Sequence, residues 1–234
     1  MEQVDIRRAA ERGQVDLGWL KSAHTLSFAD YYDPKHMGFG ALRVINDDVI
    51  SPAMGFGTHP HKNMEIITYV LSGVLEHKDS MGNTSQIRAG DVQRMSAGTG
   101  VEHSEFNASQ TDPVHLLQIW VLPESRGLTP SYEQIHFSPE DKKGILKLIG
   151  SQNGRDSSIK IAQDISVFAS ILNKNDPLTH VVPTGRIAWV HVASGEIKIN
   201  GEILSAGDAL SLSGEDIHLT DSRDAEVLVF DMAA

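Results

Sequence analysis

Gly55-Phe-Gly-Thr-His59-Pro-His61-Lys-Asn-Met-Glu65-Ile-Ile-Thr-Tyr-Val-Leu-Ser-Gly73 is the stretch from which the fold can be read. From Ile66 it is β-branched and aromatic and it ends at Ser72-Gly73, which predicts a strand closed by a turn. Ahead of that strand, His59 and His61 stand two apart, with Glu65 four residues beyond. Residues two apart on an extended strand face the same side, so these three share a parity and can converge on one interior point.

The pattern continues on both sides. From Val74, Val-Leu-Glu-His-Lys-Asp alternates apolar and polar and then turns at Met81-Gly82-Asn83. From Val114, Val-His-Leu-Leu-Gln-Ile-Trp-Val-Leu is a strong strand stopped by Pro123. Short strands at such spacing, punctuated by glycine and proline, predict an all-β sandwich or barrel. Helical signals are few. Ser138 as N-cap with Pro139 at the first helical position predicts one short helix. The segment Pro123 to Pro139 holds four of the prolines and glycines and few apolar residues, and is expected to be a connector between domains.

A second polar cluster, His103-Ser104-Glu105-Phe106-Asn107, again repeats polar side chains at a period of two. Neutral imidazoles suit iron, copper, nickel, zinc and manganese, and a carboxylate adds charge neutralisation. Two such clusters on separate strands of one barrel predict a metal site. Parity leaves open whether Glu65 or Glu105 supplies the carboxylate. His24, His36, His77, His115, His136, His180, His191 and His218 lack a same-face partner at ligand spacing and are read as structural.

Composition narrows the classes. The 234 residues carry 20 Lys+Arg against 31 Asp+Glu, a net charge of −11, with 40% hydrophobic and 22% charged residues. That is ordinary for a folded protein. The acidic balance disfavours direct nucleic-acid binding, and no basic run is strong enough to grip an anionic membrane. With no cysteine, disulfides, thiolate nucleophiles and iron–sulfur clusters are excluded. The charged start Met-Glu-Gln-Val-Asp-Ile-Arg-Arg lacks the apolar stretch of a secretory signal, and a cytoplasmic protein is expected.

A repeat divides the chain. Ser72-Gly73, a hairpin and Ala89-Gly90-Asp91 are echoed by Ser194-Gly195, a hairpin and Ala206-Gly207-Asp208. Two copies of one fold are expected: residues 1–133 with the metal and residues 134–234 without it. Superposing the tags puts Val181, Pro183 and Ile187 where His59, His61 and Glu65 stand. These three are therefore expected to line a metal-free interior.

The quoted stretch resembles the first cupin motif. Gly90 to Asn107 resembles the second, with two extra residues before His103. More specifically, His24-Thr-Leu-Ser-Phe-Ala-Asp-Tyr-Tyr-Asp-Pro34, Met37 to Asp48, Ser96-Ala-Gly-Thr-Gly100 and Gln118-Ile-Trp-Val-Leu-Pro123 resemble the pirin family and its bacterial quercetin 2,3-dioxygenases. The resemblance implies a bicupin of two antiparallel β-barrels with short helices. It implies a metal set of His59, His61, His103 and Glu105, with Glu105 also the catalytic base and Glu65 a supporting partner of a ring nitrogen. The cofactor implied is one divalent transition-metal ion. Iron is expected first, with zinc, copper, nickel, manganese and cobalt as alternatives. The implied partners are a flavonol such as quercetin and dioxygen. The metal would bind the 3-hydroxyl, Glu105 would accept its proton, and dioxygen would add across C2–C3, releasing carbon monoxide and a depside. Phe56, Met95 and Phe106 are candidate pocket walls. The family also implies an alternative, a metal-containing regulator acting on a protein partner.

Overall fold

The computed structural model describes residues 3–174 and 176–234. It is almost entirely β, as expected, and the strand ladders described below are antiparallel. Contacts gather the chain into two compact units. One holds residues 13–136 with 159–163. The other holds the chain up to Arg12 with 137–158 and 164–234.

The first unit contains two sheets. The larger runs in the order Ser131–His136, Asp91–Ser96, Glu65–Ser72, Val114–Val121, Leu42–Ile50, Leu20–His24, Gly13–Asp16. The smaller runs Gly55–His61, Val101–Asn107, Val74–Asp79, Thr84–Arg88. Alternation along each strand decides what lies between them. Leu20, Ile50, Val70 and Leu116 of the larger sheet pack with Leu75 and Ile87 of the smaller in one buried cluster. The expected barrel is thus realised as two sheets with separate ladders and a shared core.

The connector behaves differently from expectation. Ser131–His136 is an edge strand, paired with Asp91–Ser96 from Ser131↔Ser96 to His136↔Asp91. Its residues are half-buried or exposed, so the sequence carries little of the apolar alternation that marks a strand. The short helix Pro139–Lys142 forms as expected. Ser138 caps it, its hydroxyl accepting from the Asp141 amide while the Asp141 carboxylate accepts from the Ser138 amide.

In the second unit, Gln3–Arg7 pairs with Ala209–Ser213, which pairs with Arg186–Ile199. Ile217–Ala233, Ile165–Leu172 and Lys147–Ser151 follow in turn. The repeat is visible in the backbone. Asp91 accepts from the Arg88 amide at 2.8 Å and Asp208 from the Ser205 amide at 3.1 Å, the same three-residue turn in both copies.

The expectation for Val181 and Pro183 fails. Val181 is 65% exposed and Pro183 is also exposed, while Ile187 is half-buried. Ala188, Val190, Val192, Leu210, Leu212, Val227 and Val229 fill this interior instead. The superposition assumed equal chain lengths upstream of the two Ser-Gly turns. Here the short strand Leu178–His180 is followed by a surface loop before Arg186–Ile199 begins. His218 stands apart from that interior, on the surface. Its backbone amide donates to Asn200 and its exposed ring meets Thr179 Oγ1 at 3.1 Å. Among the described residues, no helix is long and apolar enough to cross a membrane.

Candidate metal centre

His59 and His61 lie on Gly55–His61, and His103 and Glu105 on Val101–Asn107, its neighbour. The pairing runs Val101↔His61 and His103↔His59, then shifts so that Glu105 faces Phe56. Between these pairs, Gly57 and Thr58 on one strand oppose the single residue Ser104 on the other, a bulge. Bulges re-aim side chains, and here Phe56, His59 and His61 all turn to the inner side. Gly55 permits the close approach of the two strands. A Cβ there would sit 2.2 Å from the Glu105 carbonyl oxygen and 2.5 Å from the Phe106 Cα.

The three imidazoles form a compact trio. Ring centroids are 4.4 Å apart for His59 and His103, and 4.8 Å for each of the other two pairs. His59 Nδ1 lies 2.8 Å from the Gly57 carbonyl oxygen and must donate to it. That fixes the tautomer and leaves the Nε2 lone pair directed at His103 Nε2, 3.0 Å away. Convergent imidazole nitrogens of this kind are the donor set of a divalent transition-metal ion. Burial, then repulsion from His59, lowers the His61 pKa to about 4. Burial followed by the charges of the neighbouring histidines lowers that of His103 further. Both rings are therefore neutral at pH 7, the form that binds metals.

Two donor groups meet at His103. One is His59, His61 and His103; the other is His77, His103 and Glu105; in each, the ligating atoms lie within 4.8 Å of one another. His77, read as structural from the sequence, lies beside the cluster. It is fully buried, its ring centroid is 5.3 Å from that of His103, and its Nε2 donates to Asp79 Oδ2 at 3.1 Å. Its Nδ1 and that of His103 are buried without a hydrogen-bond partner. His77 and Asp79 do share a parity with each other, and that signal was available. The facing strand was not.

Glu65 points elsewhere. The turn at Lys62–Met64 ends one strand, and Glu65 starts another in the larger sheet. Ile66, Thr68 and Val70 face the interior there, so Glu65 takes the opposite face. It accepts a hydrogen bond from Ser96 Oγ and one from the Ala162 amide at 3.1 Å. Glu105 is held in the interior. Gln118 Nε2 donates to its Oε2 at 2.9 Å and Thr68 Oγ1 to its Oε1 at 3.4 Å. Burial, only partly offset by the Gln118 hydrogen bond, pushes its pKa up to about 7.

A cavity of about 420 Å³ opens beside the cluster. His59, His61 and Glu105 border it, with Trp19, Phe28, Phe56 and Trp120 as aromatic walls. The walls brace each other edge to face: Trp19 on Phe56 and Phe28 on Trp120, each at 5.3 Å. Of the three candidate walls, only Phe56 serves. Met95 is buried in a separate cluster with Ile66 and Val101, and Phe106 is 38% exposed and does not border the cavity.

The Pirin family model matches residues 4–121, and the quercetinase C-terminal cupin domain model matches residues 148–232. A quercetin 2,3-dioxygenase of Escherichia coli K12 is 50% identical over 230 residues, 98% of each chain. The solved structure of YhhW from Escherichia coli superposes with a TM-score of 0.94 at 48% identity, covering 98% of this chain and 97% of that one. A second structure, of the bacterial pirin YhhW in complex with nickel(II), also has a TM-score of 0.94 at 48% identity, covering 99% of both chains.

Proposed function

This chain belongs to the pirin family, and from that premise we propose that it is a dioxygenase opening the heterocyclic ring of a flavonol such as quercetin, with release of carbon monoxide and a depside. The observation that carries the reading is one arrangement: the imidazoles of His59, His61 and His103 converge, and His59, His61 and the buried Glu105 carboxyl border an aromatic-walled cavity.

His59, His61, His103 and Glu105 would hold one divalent transition-metal ion, of the kind the nickel-bound relative contains. When bound, the ion supplies Lewis-acid polarisation of a substrate hydroxyl and brings substrate and dioxygen together. The rest falls to the chain. Glu105 accepts the proton of the flavonol 3-hydroxyl, which raises electron density on the ring to be attacked. Glu105 borders the cavity that would receive the flavonol, where a carboxylate can serve as general base. Gln118 and Thr68 keep its oxygens in place during that transfer. Trp19, Phe28, Phe56 and Trp120 offer apolar faces to a planar ligand and exclude water from the reacting ring.

The test is dioxygen uptake with quercetin by metal-loaded and metal-stripped protein. Uptake with carbon monoxide release by the loaded protein alone is expected. Absence of uptake by fully loaded protein would contradict the reading and favour a regulatory role toward a protein partner.

A further inference from the structure

The proposed chemistry leaves one wall of the cavity without an assigned role, the wall that strand Leu42–Ile50 supplies. On Leu42–Ile50, alternate residues face alternate sides. Asp47 points outward and pairs with His115 at 2.6 Å. Asn46 and Asp48 point inward and both border the cavity. They are 3% and 4% exposed, and the Oδ1 atom of each is buried without a hydrogen-bond partner. Behind them, on the paired strand, Ser22 stands opposite Asp48 and His24 opposite Asn46. His24 Nδ1 is likewise buried and unpartnered. Burial, foremost, pushes the Asp48 pKa up to about 7.

Leaving a buried acceptor unsatisfied is costly, and folded proteins rarely do so without reason. The unpartnered Oδ1 atoms of Asn46 and Asp48 are acceptors, so the complementary ligand group is a hydroxyl donor. The aromatic walls beside it fit a planar ring. We propose that Asn46 and Asp48 form a hydrogen-bond-accepting subsite that selects aromatic ligands bearing a phenolic hydroxyl in addition to the one presented to the histidine cluster. The inference rests on the flavonol reading and deepens it. The wall formed by Asn46 and Asp48 reads the hydroxylation pattern, while the histidine cluster and Glu105 carry the chemistry.

The experiment is ligand binding to metal-loaded protein under anaerobic conditions, so that affinity is read apart from turnover. The probes are quercetin and 3-hydroxyflavone, which lacks every other ring hydroxyl. Wild type should bind quercetin about tenfold more tightly than 3-hydroxyflavone, the size of one or two added hydrogen bonds. Asp48→Ala should reduce that gap to about twofold through the quercetin affinity alone. Asn46→Ala, checked for a cooperative melt alongside, should act in the same direction. Equal binding of the two probes by wild type would overturn the proposal. So would an unchanged gap in both variants, or equal weakening of both probes. Admitting air separates the two readings. Discrimination without oxygen uptake sinks the dioxygenase assignment and keeps the subsite; uptake without discrimination does the reverse.

Discussion

Glu105 stands directly opposite His77 on neighbouring antiparallel strands, and both side chains are buried. Asp79 faces His103 in the same register, two residues along. An Asp–His pair thus lies against the carboxylate and imidazole assigned to the metal, supporting them from the side away from His59 and His61. Replacing His77 with Ala opens a void beside Glu105 and His103 and removes the Asp79 contact. Outer supports of this kind typically change metal affinity by about 10–100-fold. A loss of that order is expected in a competitive metal titration of His77→Ala; wild-type affinity would show that His77 only fills space.

Direct ligands should matter more. His59→Ala, His61→Ala and His103→Ala should each lose more than the roughly 10–100-fold expected of an outer support. Elemental analysis of the purified variants measures this. Full metal content in His59→Ala would remove it from the site.

The turn aspartates of the repeat give a prediction about stability and pH. Asp208 is buried, which alone would raise its pKa. Hydrogen bonds from the Ala9 and Ser205 amides and from Arg8 outweigh that and hold it below the usual carboxylate range. A depressed folded-state pKa contributes stability above the unfolded value, near 4, and that contribution is lost as pH falls through the folded value. Asp208→Ala should therefore cost about 2 kcal/mol at pH 7, the size of hydrogen bonds to a charged group. The deficit should shrink below about pH 4. Denaturant unfolding at the two pH values measures it, and a pH-independent deficit would show that packing rather than charge is lost.

Much of this was legible in the residues. The strand at Ile66, the stop at Pro123, the Ser138 cap and the shared face of His59 and His61 follow from alternation and local chemistry, while the joining of His103 to them was implied by the family resemblance. What escaped depended on which strands become neighbours. His77 looked isolated because its partners, His103 and Glu105, lie on a strand more than twenty residues on. Glu65 looked like a ligand because parity was carried across the Lys62–Met64 turn, where the chain changes sheets. Asn46 and Asp48 gave no signal, since an inward polar residue on a strand becomes informative only once a cavity is found beside it. The edge strand Ser131–His136 was hidden because edges bury little.

The claim that Glu105 is the working carboxylate can be tested most directly by comparing Glu105→Gln with Glu65→Gln in flavonol turnover per bound metal ion. Glutamine keeps the shape of each site, but its amide nitrogen cannot accept a proton. Glu105→Gln should lose about 10²–10⁴-fold, the usual contribution of a general base. Glu65→Gln should leave turnover per metal near wild type, because Glu65 bonds to Ser96 and the Ala162 amide on the other face of its sheet. Turnover abolished in Glu65→Gln and retained in Glu105→Gln would contradict the account.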